Sequence, residues 1–265
     1  MSTATAYERA RAEGRAALVG YLPAGFPTRE RSIEAIKAMV EAGCDVIEVG
    51  LPYSDPVMDG PTIQAAAQQA LDAGTRTTDV LHTVEAVAAT GVPTVVMTYW
   101  GPVERYGVAR FAADLASAGG AGLITPDLTP DSGAEWIAAA DDHGLDKVFL
   151  VAPSSTDERI AMTTAACRGF VYATAVMGVT GARESTSDLA GPLVARTRKA
   201  TGLPIGVGLG VSNGDQAAEV AGYADGVIVG SAFVRVLLDH ADDPAAGLAA
   251  LRALTEDLAA GVRRA

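Results

Sequence analysis

The stretch Ile205-Gly-Val-Gly-Leu-Gly-Val-Ser-Asn-Gly-Asp-Gln-Ala-Ala-Glu-Val-Ala-Gly-Tyr-Ala-Asp-Gly-Val-Ile-Val229 holds the unit from which the chain is built. A short apolar run, 205–209, meets a glycine turn; an Ala- and Glu-rich stretch, 213–221, follows; a second short run, 226–229, closes the unit. Short β-branched runs bounded by Gly, Pro, Asp or Ser are strand signals, and longer polar–apolar stretches between them are helix signals. The same alternation extends toward the amino terminus, with strands predicted at 18–21, 46–49, 94–99, 122–125, 147–151 and 170–175. Helical patterns follow each of the eight strands, at 29–42, 62–73, 104–118, 131–143, 157–167, 188–200, 213–221 and 232–238. Two further helices are predicted at 78–90 and 245–262.

Strands that alternate with helices at this spacing pair in parallel through right-handed crossovers, and eight such units close into a barrel. The expected fold is therefore α/β, a (β/α)8 barrel with extra helices, in one catalytic domain spanning 1–265. The competing architecture is an open doubly wound sheet. Against it, Gly208-Leu-Gly210 comes late in the chain and lacks the third glycine of a dinucleotide-binding turn, since Gly214 falls one residue too far on.

Hydrophobic residues make up 49% of the 265 and charged residues 20%, enough apolar mass for a large core and too much for a disordered chain. The 32 acidic against 20 basic side chains give a net charge of −12, which repels nucleic acid and anionic lipid. Cys44 and Cys167 stand too far apart to form a zinc, redox or disulfide motif and are expected reduced and buried, in a cytoplasmic protein. Residues 1–15 lack the apolar core of a signal peptide. The long uncharged stretch 86–103 is broken by Gly91 and Pro93, so no membrane span is expected.

In such a barrel the chemistry sits at the carboxyl ends of the strands. His82, His143 and His240 all fall in or at the ends of helices, so no metal site is expected. Lys37 and Lys199 lie on helices and Lys147 begins a strand, the wrong end for an imine-forming lysine. Carboxylates remain. In Val46-Ile-Glu-Val-Gly50 the period of two puts Ile47 and Val49 toward the helices and Glu48 into the barrel. A carboxylate there is either paired structurally or shifted toward acid–base work. Tyr172 shares an inward face with Phe170 and Thr174 and is the candidate hydrogen-bond partner of Glu48. The long loop 51–61 carries Asp55 and Asp59, each either a turn or cap residue or part of a lid over the site. Glycine-rich turns at Gly178-Val-Thr-Gly181, 206–210, Ser212-Asn-Gly214 and Gly230-Ser231 let backbone amides approach an anion, as at the phosphate sites common after the last two strands of such barrels.

The run Asp45-Val-Ile-Glu-Val-Gly-Leu-Pro-Tyr-Ser-Asp-Pro-Val-Met-Asp-Gly-Pro-Thr-Ile-Gln64 resembles the signature of the tryptophan synthase alpha subunit family. The likeness continues through Met97-Thr-Tyr-Trp100, Pro126-Asp-Leu128, Gly178-Val-Thr-Gly181, Gly208-Leu-Gly-Val-Ser212 and Gly230-Ser231, in the family's order and over nearly the whole chain. The resemblance implies a cytoplasmic carbon–carbon lyase of tryptophan biosynthesis that cleaves indole-3-glycerol phosphate into indole and glyceraldehyde 3-phosphate. By the same resemblance Glu48 and Asp59 are catalytic, Tyr172 lies beside the glutamate at the substrate, and Gly181, Gly210, Gly230 and Ser231 bind phosphate. It further implies no cofactor in this chain, and an alpha2beta2 heterotetramer in which a beta subunit carries pyridoxal phosphate. Asp55 and the segment 99–103 are the implied partner contacts, with Gly101 where many relatives carry Asn. Thr129 replaces a residue that is often proline. A catalytically silent phosphate-ligand sensor and a free-standing lyase that releases indole are the competing readings.

Overall fold

A computed structural model of the chain describes residues 1–174 and 187–264. Nine strand segments form one parallel sheet: β1 (Ala17–Pro23), β2 (Val46–Gly50), β3 (Thr94–Met97), β4 (Gly122–Ile124), β5 (Asp146–Val148), β6 (Leu150–Val151), β7 (Val171–Thr174), β8 (Ile205–Gly208) and β9 (Gly226–Val229). Their order is β5-β4-β3-β2-β1-β9-β8-β7-β6. β5 and β6 are two halves of one strand interrupted at Phe149, whose carbonyl accepts from Tyr172 N at 3.2 Å. The two ends of the sheet therefore meet in one strand, and eight strand positions close into the expected (β/α)8 barrel.

Twelve helices stand among the described residues: α1 (Ala4–Ala12), α2 (Arg29–Ala42), α3 (Pro61–Asp72), α4 (Thr77–Ala88), α5 (Trp100–Tyr106), α6 (Val108–Ser117), α7 (Ala134–Asp142), α8 (Asp157–Ala166), α9 (Ser187–Ala200), α10 (Gly214–Ala221), α11 (Ser231–Asp239) and α12 (Pro244–Gly261). Local chemistry sets several of their ends. Thr28, Thr156, Asn213 and Asp243 cap α2, α8, α10 and α12 with side-chain oxygens, and Gly43 ends α2 at φ 123, a conformation suited to glycine. Strand alternation then separates two cores. Val19, Val46, Val95, Val148, Phe170 and Ile228 fill the barrel, whereas Leu18, Ile47, Val49, Val96, Val171 and Val227 pack outward against the helices.

The helix α1 was not anticipated from the sequence, and it closes the amino-terminal end of the barrel. Tyr7 enters the interior, its ring 5.2 Å from that of Phe170, over the empty positions of Gly206 and Gly226. Aspartates at or just before the first residues of β2, β5 and β9 hold the helix: Ser2 and Thr3 donate to Asp146, Arg9 pairs with Asp45 at 3.7 Å, and Arg11 pairs with Asp225 at 3.5 Å. Among the described residues, no helix closes the opposite, carboxyl end in this way.

Several boundaries differ from expectation. The helix predicted at 104–118 is two helices, broken by Gly107 at φ 97. The strand predicted at 94–99 stops at Met97, and that at 147–151 is interrupted. Cys44 is buried as expected, but Cys167 is only half-buried; both are free. Among the described residues, no helix is long and apolar enough to cross a membrane.

Candidate active site

One pocket opens at the carboxyl ends of the strands, with Tyr21, Glu48, Asp59, Tyr99, Tyr172, Gly210, Gly230 and Ser231 among its walls and Leu51, Met58, Ile63, Met97, Leu209 and Ile228 supplying apolar surface. Glu48 lies on β2, paired in register with Tyr21 on β1 and Val95 on β3, and is 2% exposed. Burial pushes its carboxyl up to about 8, so the group holds its proton at neutral pH. Among the described residues its Oε1 has no hydrogen-bond partner, so Tyr172, the expected partner, does not bond that oxygen. The Tyr172 hydroxyl lies instead over Gly208. Burial, and secondarily the nearby Glu48, raises the Tyr172 phenol above its ordinary range.

Asp59 sits half-buried on the loop between β2 and α3. The cap residue of α3 is Gly60, the residue after Asp59. The Asp59 Oδ1 accepts from the Tyr99 hydroxyl at 2.9 Å, and the same hydroxyl accepts from Met58 N at 3.0 Å. Burial raises the Asp59 carboxyl, and the bond from Tyr99 opposes that rise. Tyr53, on the same loop, packs its ring 5.3 Å from that of Tyr99.

Tyr99 is thus a site residue that the sequence reading assigned to a partner-facing segment. It is 5% exposed, and Pro102 and Val103 are also buried, leaving Trp100 and Gly101 half-exposed. On the strand expected at 94–99, positions 95, 97 and 99 share one face, but the strand ends at Met97 and Tyr99 precedes α5, so alternation alone does not place it. Asp55 is exposed, and its Oδ2 accepts from the Ser54 hydroxyl at 2.5 Å. Neither Asp55 nor Gly101 lines the pocket. A Cβ on Gly101 would stand 3.4 Å from the Tyr53 hydroxyl, an ordinary contact.

At the other wall Gly210 adopts φ +82, while Gly230 is the cap residue of α11 and Ser231 opens it. The first amides of this nine-residue helix have no intrahelical acceptor, and among the described residues no Lys or Arg lines the pocket, so the surface they offer to an anion there is backbone. Ser212 turns away: its N and its hydroxyl both donate to Gln216 Oε1. Gly181 and the rest of the 178–181 turn lie outside the described residues. Among the described residues, no group of three His, Cys, Asp or Glu is placed to hold a metal. Lys147 bonds Asp141 on α7, outside the barrel.

The fold and the pocket define a (β/α)8 barrel of the enzyme type, with a buried carboxyl group that holds its proton in the pocket at the carboxyl ends of its strands. The family model described as tryptophan synthase alpha chain matches residues 7–263. The tryptophan synthase alpha chain of Salinispora arenicola is 67% identical over 258 residues, 97% of this chain and 96% of that protein. That of Acidothermus cellulolyticus is 64% identical over 259 residues, 98% and 96% of the two. Among solved structures, Mycobacterium tuberculosis tryptophan synthase matches with a TM-score of 0.93 at 57% identity, over 98% of each chain. The chain belongs to the tryptophan synthase alpha chain family.

Proposed function

We propose that this chain, as a single catalytic domain, cleaves indole-3-glycerol phosphate into indole and glyceraldehyde 3-phosphate in the cytoplasm. The observation that carries the reading is Glu48, a carboxyl group that is protonated at neutral pH and lines the pocket, with no partner for Oε1 among the described residues. Such a group donates a proton to indole C3, turning the ring into a cationic electron sink. The resulting carboxylate takes the proton of the hydroxyl on the adjacent glycerol carbon as the bond from that carbon to C3 breaks. Its electrons return to the ring, leaving indole and the aldehyde, with the Glu48 proton restored.

Asp59 accepts from the indole N–H and stabilises the positive charge that develops on the ring. Tyr172 walls the substrate beside Glu48, and amides around Gly210, Gly230 and Ser231, together with Gly181, take the phosphate. A separate beta subunit carrying pyridoxal phosphate consumes the indole, in an alpha2beta2 assembly that covers the carboxyl end of the barrel at Asp55 and Gly101. Indole is small and apolar and would otherwise escape.

Indole release from indole-3-glycerol phosphate, measured with and without added beta subunit, tests the reading. Slow release by the chain alone, rising and saturating with the partner, is expected. Absence of release in both arms would select the silent sensor, and high turnover with a flat response would select the free-standing lyase.

A further inference from the structure

We propose that Asp127 is a positioning residue for Asp59, acting through the amino end of α5 and through Tyr99; the proposal rests on the reaction proposed above. Asp127 lies in Pro126-Asp-Leu128, on the loop after β4; Pro126 lines the pocket, but Asp127 itself does not. Its Oδ1 and Oδ2 stand 2.9 and 3.1 Å from Trp100 N, the first residue of α5. The residue before that helix, Tyr99, gives it no side-chain cap. The acceptor that a helix start needs therefore comes from a loop 27 residues further on, and its negative charge suits the positive end of the peptide dipoles.

This bond has a consequence two loops away. Fixing the Trp100 backbone fixes the preceding residue, and Tyr99 (φ −71, ψ 159) is held with its side chain across the pocket. The Tyr99 hydroxyl then takes hold of the rim loop at two points, Asp59 Oδ1 and Met58 N. Three loops, after β4, β3 and β2, are joined in series, and the last of them carries the carboxylate that must face the indole N–H. A carboxylate on an irregular loop needs such support, since displacement of a catalytic group by about 1 Å costs orders of magnitude in rate.

The test is steady-state cleavage of indole-3-glycerol phosphate by the chain with its beta subunit, in Asp127→Ala, Asp127→Asn, Tyr99→Phe and the Asp127→Ala/Tyr99→Phe double variant. Asp127→Ala and Tyr99→Phe should each lower kcat by about tenfold with KM changed less than about twofold. Acting in series, they should not add: the double variant should fall within about twofold of the worse single one. Asp127→Asn keeps an oxygen for Trp100 N–H and should recover most of kcat. Additive losses, or an unchanged kcat in Asp127→Ala, would overturn the proposal. Asp127 is exposed, so these variants should fold.

A second readout does not depend on turnover. In protein carrying ring-labelled tyrosine, the resonance lost in Tyr99→Phe should shift in Asp59→Asn, shift the same way in Asp127→Ala, and stay in place in Asp127→Asn. A resonance unmoved by Asp127→Ala overturns the positioning role even in a protein that cleaves nothing. A wild-type chain that cleaves nothing overturns the lyase reading instead, with the resonance still deciding this one.

Discussion

The Tyr172 hydroxyl occupies the place where a side chain on Gly208 would stand: a Cβ added to Gly208 would come within 2.2 Å of that oxygen and 2.8 Å of the ring Cζ. The register pairs Tyr172 with Gly206 and Thr174 with Gly208, so the ring leans toward the carboxyl end of the barrel, across β8. Gly208 is thus required for space. Gly208→Ala should push the ring toward Glu48 and cost ~1–3 kcal/mol of stability through overpacking. Cleavage should fall at least about tenfold in kcat/KM. Thermal unfolding and steady-state kinetics check both, and an unchanged Gly208→Ala enzyme would show that Tyr172 does not define the pocket floor.

The eight-strand order was legible because each strand carries its own turn chemistry and apolar run, and Glu48 was placed by alternation inside one of them. What escaped the sequence depends on partners distant along the chain. α1 has one large apolar side chain, Tyr7, among Ala, Arg and Glu, and only the barrel floor with its aspartates at 45, 146 and 225 makes that helix worth folding. The break between α5 and α6 rests on Gly107, a glycine that a helical pattern tolerates on paper. Tyr99 was hidden for a different reason: the strand ends two residues before it, and its role exists only because Asp59 reaches it from another loop.

Glu48 makes both rate and stability depend on pH. In the unfolded chain a glutamate ionises at about 4.3. Folded, Glu48 keeps its proton up to about 8. Between those values folding takes up a proton, so stability falls as pH rises, by on the order of 1 kcal/mol per pH unit, and levels off above the folded value. Glu48→Gln should remove that slope, so the variant gains on the parent as pH rises through the window. Its kcat should drop roughly 10²- to 10⁴-fold, the usual loss of an acid–base group. Denaturant unfolding at several pH values, with turnover alongside, measures both; near-normal turnover in the variant would end the assignment.

Asp59 supplies the opposite limb of the rate profile. The reaction needs its carboxylate ionised while Glu48 is protonated, so kcat/KM should rise as Asp59 loses its proton, at a pH above the ordinary aspartate value, and fall as Glu48 ionises near 8. Asp59→Asn still accepts from Tyr99 but carries no charge. The rising limb should vanish and kcat fall roughly 10²-fold with little change in KM. A substrate methylated at the indole nitrogen should react poorly with the parent enzyme, and brisk cleavage of that compound would remove Asp59 from the role given to it.

Gly210 tests how the phosphate is held. Its φ of +82 strains any other residue, by ~1–3 kcal/mol, and a branched side chain there would also screen the backbone amides from the ligand. The chain carries a net charge of −12, and among the described residues no Lys or Arg stands on the pocket wall, so the groups there that can meet an anion are backbone N–H groups, chiefly those opening α11. Gly210→Val should therefore raise KM by about tenfold or more and reduce kcat less, with a modest fall in melting temperature. Inorganic phosphate should compete with substrate on the parent enzyme and lose most of that effect on the variant. Undiminished competition by phosphate on Gly210→Val would place the anion elsewhere on the barrel and leave the glycine with a backbone role alone.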